Sequence, residues 1–159
     1  MFQELISYFP RLELPLVLQE GAEHQFSTND GLPDQLLVEL ILPCLDFQPD
    51  EFTEYLPCGH WKTTDHNTIC IIWVARLMRY SFYLISFNSK HEHVESLEVA
   101  GFFSDNEFLI RRMANIDEEG TITIVEGAHK INEKEFDLNL NRKLLLEIAQ
   151  DGSLIKMPT

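Results

Sequence analysis

Long apolar runs are what this sequence has least of. The longest, from Ile69 to Ala75, falls far short of the ~20 residues that cross a bilayer, and Arg76 ends it, so no membrane span is expected. Cysteine is nearly as scarce. Cys44, Cys58 and Cys70 are odd in number and form no C-x-x-C, which argues against a disulfide framework and for reduced thiols in a cytoplasm. In MFQELISYFPRLELPL the residue Glu4 stands where a secretory signal carries Lys or Arg, and Pro10, Arg11 and Glu13 interrupt the apolar residues, so export by the usual route is not expected.

Positive charge is the third shortage: 12 Lys and Arg face 26 Asp and Glu, a formal net charge of −14 with a pI near 4.7. Counterion release on nucleic acid and attraction to anionic lipid both need clustered Lys and Arg, so neither nucleic acid nor membrane is expected as a partner. A basic protein, a cationic ligand or a divalent cation suits this field, although an acidic surface also serves solubility alone. G-x-S-x-G, the P-loop, G-x-G-x-x-G and H-E-x-x-H are all missing, as is any internal repeat, and no cofactor is indicated.

What is present is organised around Thr68 to Phe87, TICIIWVARLMRYSFYLISF. In an extended chain Ile69, Ile71, Trp73, Ala75 and Leu77 point one way and Cys70, Ile72, Val74, Arg76 and Met78 the other, so both faces are apolar. Such a strand belongs in the middle of a sheet covered on both sides. Beyond Met78-Arg79 the pattern resumes, with Tyr80, Phe82 and Leu84 opposing Tyr83, Ile85 and Phe87, and the β-branched and aromatic content predicts a long central hairpin rather than a buried helix.

Upstream, FQELISYF (2–9) has helical spacing and is stopped by Pro10. Leu12 to Leu18 contains Pro15, which confines it to an edge strand or an extended crossing segment. Gly21 to Gly31 reads as an exposed loop, and Leu32 to Leu42 as a helix with Pro33 and Asp34 in its first turn, ended by Pro43. Leu45 to Pro57 reads as an acidic, aromatic loop whose rings either pack on the sheet or are presented to a partner. Downstream, His93–Phe103, Glu107–Ile116, Thr121–Glu126 and Leu144–Ile148 read as strands, with turns at Asn88–His93, Asp117–Gly120 and Gln150–Ser153. The expectation is therefore one α+β domain over 1–159, a helical N-terminal portion (1–45) covering an antiparallel meander of about six strands (60–157). The segments DEFTEYLPCGHW, TTDHNTICIIW, LMRYSFYLISF, VAGFF and ANIDEEGTITIVEG resemble a group of small bacterial proteins of the Bacteroidetes type, which carries no assigned activity; the resemblance supports one domain and implies nothing about mechanism.

Three constellations could carry chemistry. Cys58, His60 and His66, with Asp65 nearby, could place ligands around zinc with a position left for water, though their spacing matches no closed structural zinc pattern; Cys58 beside His60 could also form a thiolate pair. His91-x-His93 sits in a polar turn, where exposed histidines are the ordinary outcome. Arg76, inside the central run, needs an acidic partner or serves as an anion-binding group; as a buried structural pair its removal should cost about 3 kcal/mol or more. The reading favoured by charge and size is a non-catalytic protein that binds a basic protein, in an immunity- or inhibitor-like role, through Asp46, Phe47, Asp50, Glu51, Phe52, Glu54 and Tyr55. A small metal-dependent enzyme using Cys58, His60 and His66, or a subunit of a larger assembly with unspecified stoichiometry, are the alternatives.

Overall fold

The structure, a computed structural model, describes residues 1–104, 106–131 and 141–158. Its centre is the expected hairpin: two antiparallel strands, Thr68–Arg76 and Arg79–Phe87, joined through Leu77 and Met78 and in register from Thr68 opposite Phe87 to Arg76 opposite Arg79. Ile71 and Ile72 are each 0% exposed, so neither face is wet in the middle of this element, and exposure rises only toward Leu77–Tyr80 at its turn. Ile69, Ile71, Phe82 and Leu84 belong to one buried cluster, and Cys70, Ile72, Val74, Tyr83, Ile85 and Phe87 to another on the opposite face. The sheet thus separates two clusters, one on each of its covered faces.

The strands, in chain order, are β1 (Leu16–Leu18), β2 (Glu54–Lys62), β3 (Thr68–Arg76), β4 (Arg79–Phe87), β5 (His93–Ser104), β6 (Phe108–Ile116), β7 (Ile122–Lys130), β8 (Arg142–Ile148) and β9 (Leu154–Met157). From β2 to β9 they form an antiparallel meander, and β1 pairs with β6. The strand count exceeds the expected six, while the coarser expectation of an antiparallel sheet with a few short helices holds. β1 is an edge strand directly after Pro15, and β6 is a strand despite its two arginines.

Only Gly101–Ser104 of β5 pairs with β6, so the ladder opens there and β1 docks on the rest of β6, at Ala114–Ile116. The sheet curls on this opening. One face of β2–β5 meets Ala114, Ile116, Ile122, Ile124 and Leu146 from β6, β7 and β8 to make the concave cluster. Side chains, not a ladder, bring the last turn round to the start of the sheet. The buried Asn67 donates to the carbonyls of Ala149 and Gln150, Ser86 donates to the Gly152 carbonyl at 2.6 Å, and Glu95 accepts the Leu154 N–H at 2.6 Å.

The N-terminal helices cover the convex face, as their spacing predicts. Helix α1 (Phe2–Ile6) buries Leu5, and α2 (Asp34–Leu36) continues through a wider turn (Leu37–Ile41) into a 3₁₀ turn (Leu42–Cys44), burying Leu36, Ile41 and Cys44. Pro43 lies inside that last turn instead of ending the helix before it. Two other expectations fail locally. Within the expected loop Gly21–Gly31, Ala22–Phe26 forms a 3₁₀ turn that drops Phe26 into the concave cluster, and Asn29 donates to the carbonyls of Pro57 and Cys58.

The meander also starts earlier than residue 60, because Glu54–Pro57 already belongs to β2. As the outermost strand of the meander, β2 tolerates Pro57, and its register shifts between Pro57 and Gly59. Gly59 is required by packing: a Cβ there would collide with the Pro10 carbonyl and the Leu12 side chain. The strand read as Thr121–Glu126 runs further, since Gly127–Lys130 extends β7, and 132–140 lies outside the described residues.

Because Ile71 and Ile72 serve different clusters, Ile71→Ala and Ile72→Ala should each lower stability by about 2–5 kcal/mol. Urea denaturation of the two variants checks this, and a near-neutral result for either would show that its face is not dry.

Candidate functional site

The acidic segment Leu45–Pro57 is held from one side and open on the other. The Phe47 ring is half-buried, lies 5.8 Å from the Tyr83 ring and carries the Arg76 guanidinium 4.0 Å above it, while Asp46 accepts the Tyr83 hydroxyl at 3.2 Å. Tyr55, in β2, packs on the convex cluster, and its hydroxyl is buried without a partner among the described residues. Phe52 does the opposite and is 71% exposed. A short turn fixes it there: Asp50 Oδ1 accepts the Phe52 N–H at 2.8 Å, Thr53 Oγ1 accepts the Asp50 N–H at 3.1 Å, and the Thr53 N–H donates to the Asp50 carbonyl at 3.2 Å. Asp50, Glu51 and Glu54 are exposed beside it and have no ion-pair partner among the described residues.

The possible ligands Cys58, His60 and His66 are not brought together. Cys58 is buried in the concave cluster, and burial pushes its thiol far above the ordinary range, which removes thiolate character at neutral pH. His60 donates through Nδ1 to the Phe9 carbonyl at 2.6 Å, a contact to the N-terminal segment. His66 sits exposed in the β2–β3 turn with φ 67°. Among the described residues no group of three or more His, Cys, Asp or Glu is placed to hold a metal ion. His91 and His93 are exposed as expected, His91 stacking on Phe2 at 4.2 Å.

Arg76 has its acidic partner, and the partner is shared. Glu98, 8% exposed in the middle of β5, accepts from Arg79 at 2.6 and 2.9 Å, from Arg112 at 3.1 Å and from Arg76 at 3.2 Å, and takes the Ser81 hydroxyl at 2.6 Å. Arg112 spans to Glu126 at 2.6 Å, and the guanidinium of Arg79 lies 3.9 Å above the Phe103 ring. Four strands meet at Glu98: Arg76 and Arg79 face each other across the β3–β4 hairpin, β5 lies beside β4, and Arg112 reaches in from β6. Burial by itself raises the pKa of Glu98. The hydrogen bonds from Arg79 and Ser81, with the charges of Arg79 and Arg112, outweigh it and hold the carboxyl below its ordinary value.

A cleft of about 550 Å³ lies at the end of β2, between the β2–β3 and β6–β7 turns. Trp61 forms part of its wall, the indole Nε1 buried without a partner among the described residues, and Thr63, Thr64 and Thr121 supply hydroxyls. Asp65, Glu118, Glu119 and Glu147 line it against Lys62 alone. Asp117 is occupied in forming the turn, its Oδ1 accepting the N–H groups of Glu119 and Thr121 at 2.9 Å, which leaves Glu118 and Glu119 exposed. The sequence reading placed these acids in a turn but had no signal that Asp65, 52 positions earlier than Asp117, stands across the cleft.

Glu98, Arg79 and Arg112 were likewise not singled out from the sequence; the only cue was two arginines inside an otherwise apolar strand. Comparison of the chain with protein-family models, with curated proteins and with solved structures finds no match.

Two measurements follow from the network. Glu98→Ala leaves three guanidinium groups facing one another and should destabilise by about 3–5 kcal/mol, whereas Arg76→Ala, which leaves Glu98 two partners, should cost less; chemical denaturation gives the order, and the reverse order would refute the shared-carboxylate account. The pH dependence has a definite sign. Since the folded-state pKa of Glu98 is held below 4.5, its stabilisation is complete above about 4.5 and lost as pH falls through the lower folded value. Thermal melts between neutral and acid pH should show a steeper acid loss for the native protein than for Glu98→Gln.

Proposed function

We propose that this protein is a non-catalytic interaction module that binds a basic protein partner, in the manner of an inhibitor or immunity factor, through the segment carrying Asp46, Phe47, Asp50, Glu51, Phe52, Glu54 and Tyr55: Asp50, Glu51, Phe52 and Glu54 meet the partner, and Asp46, Phe47 and Tyr55 hold the segment on the sheet. The observation that carries the proposal is Phe52, 71% exposed on a turn locked by Asp50 and Thr53, flanked by carboxylates that have no ion-pair partner among the described residues. An aromatic ring held outward in a fixed conformation loses little freedom on docking, the property that makes such rings binding anchors. The carboxylates act on encounter: single exposed pairs contribute only about 0.2–1 kcal/mol each, but a field of one sign steers a basic partner in and repels acidic ones.

The distribution of cations supports this. Arg76, Arg79 and Arg112 are turned inward onto Glu98 and Glu126, so three of the 12 cations serve those carboxylates and none of the three pairs with Asp50, Glu51 or Glu54. We place the protein in the cytoplasm, a reading supported by Cys44, Cys58 and Cys70 being buried and unbridged.

The test is capture of partners on the immobilised protein at low and high salt, followed by reconstitution with the identified partner in purified form. The partner should be basic and its binding should weaken with salt. Phe52→Ala should weaken it by about 30-fold, a loss of ~2 kcal/mol, mainly through faster dissociation. Glu51→Lys should slow association. A partner that binds both variants as tightly as the native protein would overturn the assignment.

A further inference from the structure

A second cavity lies at the other end of β3 from Trp61, on the concave side. Its volume is about 290 Å³, and it is lined by Trp73, Tyr80, Phe82, Phe102, Glu20 and Glu23 together with Gly21 and Gly101. The rings come from three adjacent strands. Tyr80 is directly opposite Phe102 on β5, and Trp73 lies parallel to Tyr80, with ring centroids 6.3 Å apart and planes 8° apart. Phe82 is the buried floor, while Tyr80 is 46% exposed and Trp73 and Phe102 are partly exposed. Gly101 lets β4 and β5 approach here, because a Cβ at that position would collide with the Tyr80 carbonyl.

Glu20 comes from the segment between β1 and the Ala22–Phe26 turn, and Glu23 from that turn itself. Glu23 has no ion-pair partner among the described residues. Glu20 pairs with Arg111 at 3.0 Å, and Arg111, opposite Phe102 on β6, holds its guanidinium 5.1 Å from the Phe102 ring. The rim of the cavity therefore already seats one guanidinium between an aromatic face and a carboxylate. The same two elements, ring faces and a carboxylate, continue inward without a cation among the residues lining the cavity.

We propose that this cavity is a binding site for an alkylguanidinium group, which stacks on the Trp73, Tyr80 and Phe102 rings and donates to Glu23. Guanidinium fits better than ammonium because it is planar, more weakly hydrated and stacks on aromatic faces. A cavity of about 290 Å³ suits a head group, not a large ligand. The site does not rest on the partner reading above, since Phe47 and Tyr55 pack on the opposite face of the sheet.

The test is a titration followed by the indole N–H resonance of Trp73 in labelled protein, assigned with Trp73→Phe. Nα-acetyl-arginine amide should give a saturating shift, and its neutral counterpart Nα-acetyl-citrulline amide should bind about tenfold more weakly or not at all. Glu23→Gln should weaken the arginine compound several-fold while leaving the thermal midpoint unchanged. Methylguanidinium and a capped Gly-Arg-Gly peptide distinguish the source: equal affinity marks a free small cation, and tighter peptide binding marks an arginine presented by a protein. Equal response to arginine and citrulline, or no saturating shift, would overturn the proposal. So would a response that appears only in Arg111→Gln, which would show that the chain's own arginine fills the cavity.

Discussion

Everything in this molecule is arranged to keep the β3–β4 hairpin dry on both faces. Each fully buried Ile, Leu or Phe contributes about 1.5–3 kcal/mol, and the hairpin carries such residues on both sides, so neither face can be left to water. The helices from the N-terminus are the cover for one face. The curl of the sheet, which folds β6, β7 and β8 over β2–β5, is the cover for the other. A flat meander of this sequence would leave Ile69, Ile71, Phe82 and Leu84 exposed.

That constraint explains where the polar groups go. The hairpin's own ends place Arg76 and Arg79 opposite each other, and two like charges across a ladder are unfavourable unless an anion joins them. Glu98 is that anion. It draws in Arg112 as well, so a protein with 12 cations places three of them around one buried carboxylate. Fold and charge are thus connected: a quarter of the cations serve the interior.

The central hairpin was legible because its two apolar faces leave a pattern that period-2 alternation reads directly. The helices were legible through Leu36, Leu37, Leu40 and Ile41. Strand β2 was not, because Pro57, Gly59 and His60 read as loop chemistry; the outermost position of the strand and the close crossing of Pro10–Leu12 make them acceptable, and both are tertiary facts. The rings of Leu45–Pro57 were identified as a group, yet nothing local says that Phe47 and Tyr55 pack inward while Phe52 faces out. Cys58 and His60 look like neighbours in the chain, but a strand with a register shift sends one to the core and the other to the Phe9 carbonyl. Glu98 looked like any other glutamate in an acidic chain, since only strand pairing brings its three arginines to it.

The way the curl is closed has a consequence of its own. Asn67, Ser86 and Glu95 fasten the last hairpin to the rest of the sheet by a handful of side-chain bonds, with no continuous row of backbone pairing across that seam. Releasing β8 and β9 therefore breaks their ladder with β7, these side-chain bonds and the packing of Leu144, Leu146, Ile148 and Leu154 on the concave cluster, whereas releasing β3 or β4 dissolves both clusters at once. Loss of this seam would uncover the concave cluster and leave the convex one covered, so the two faces of the hairpin do not depend on the same contacts.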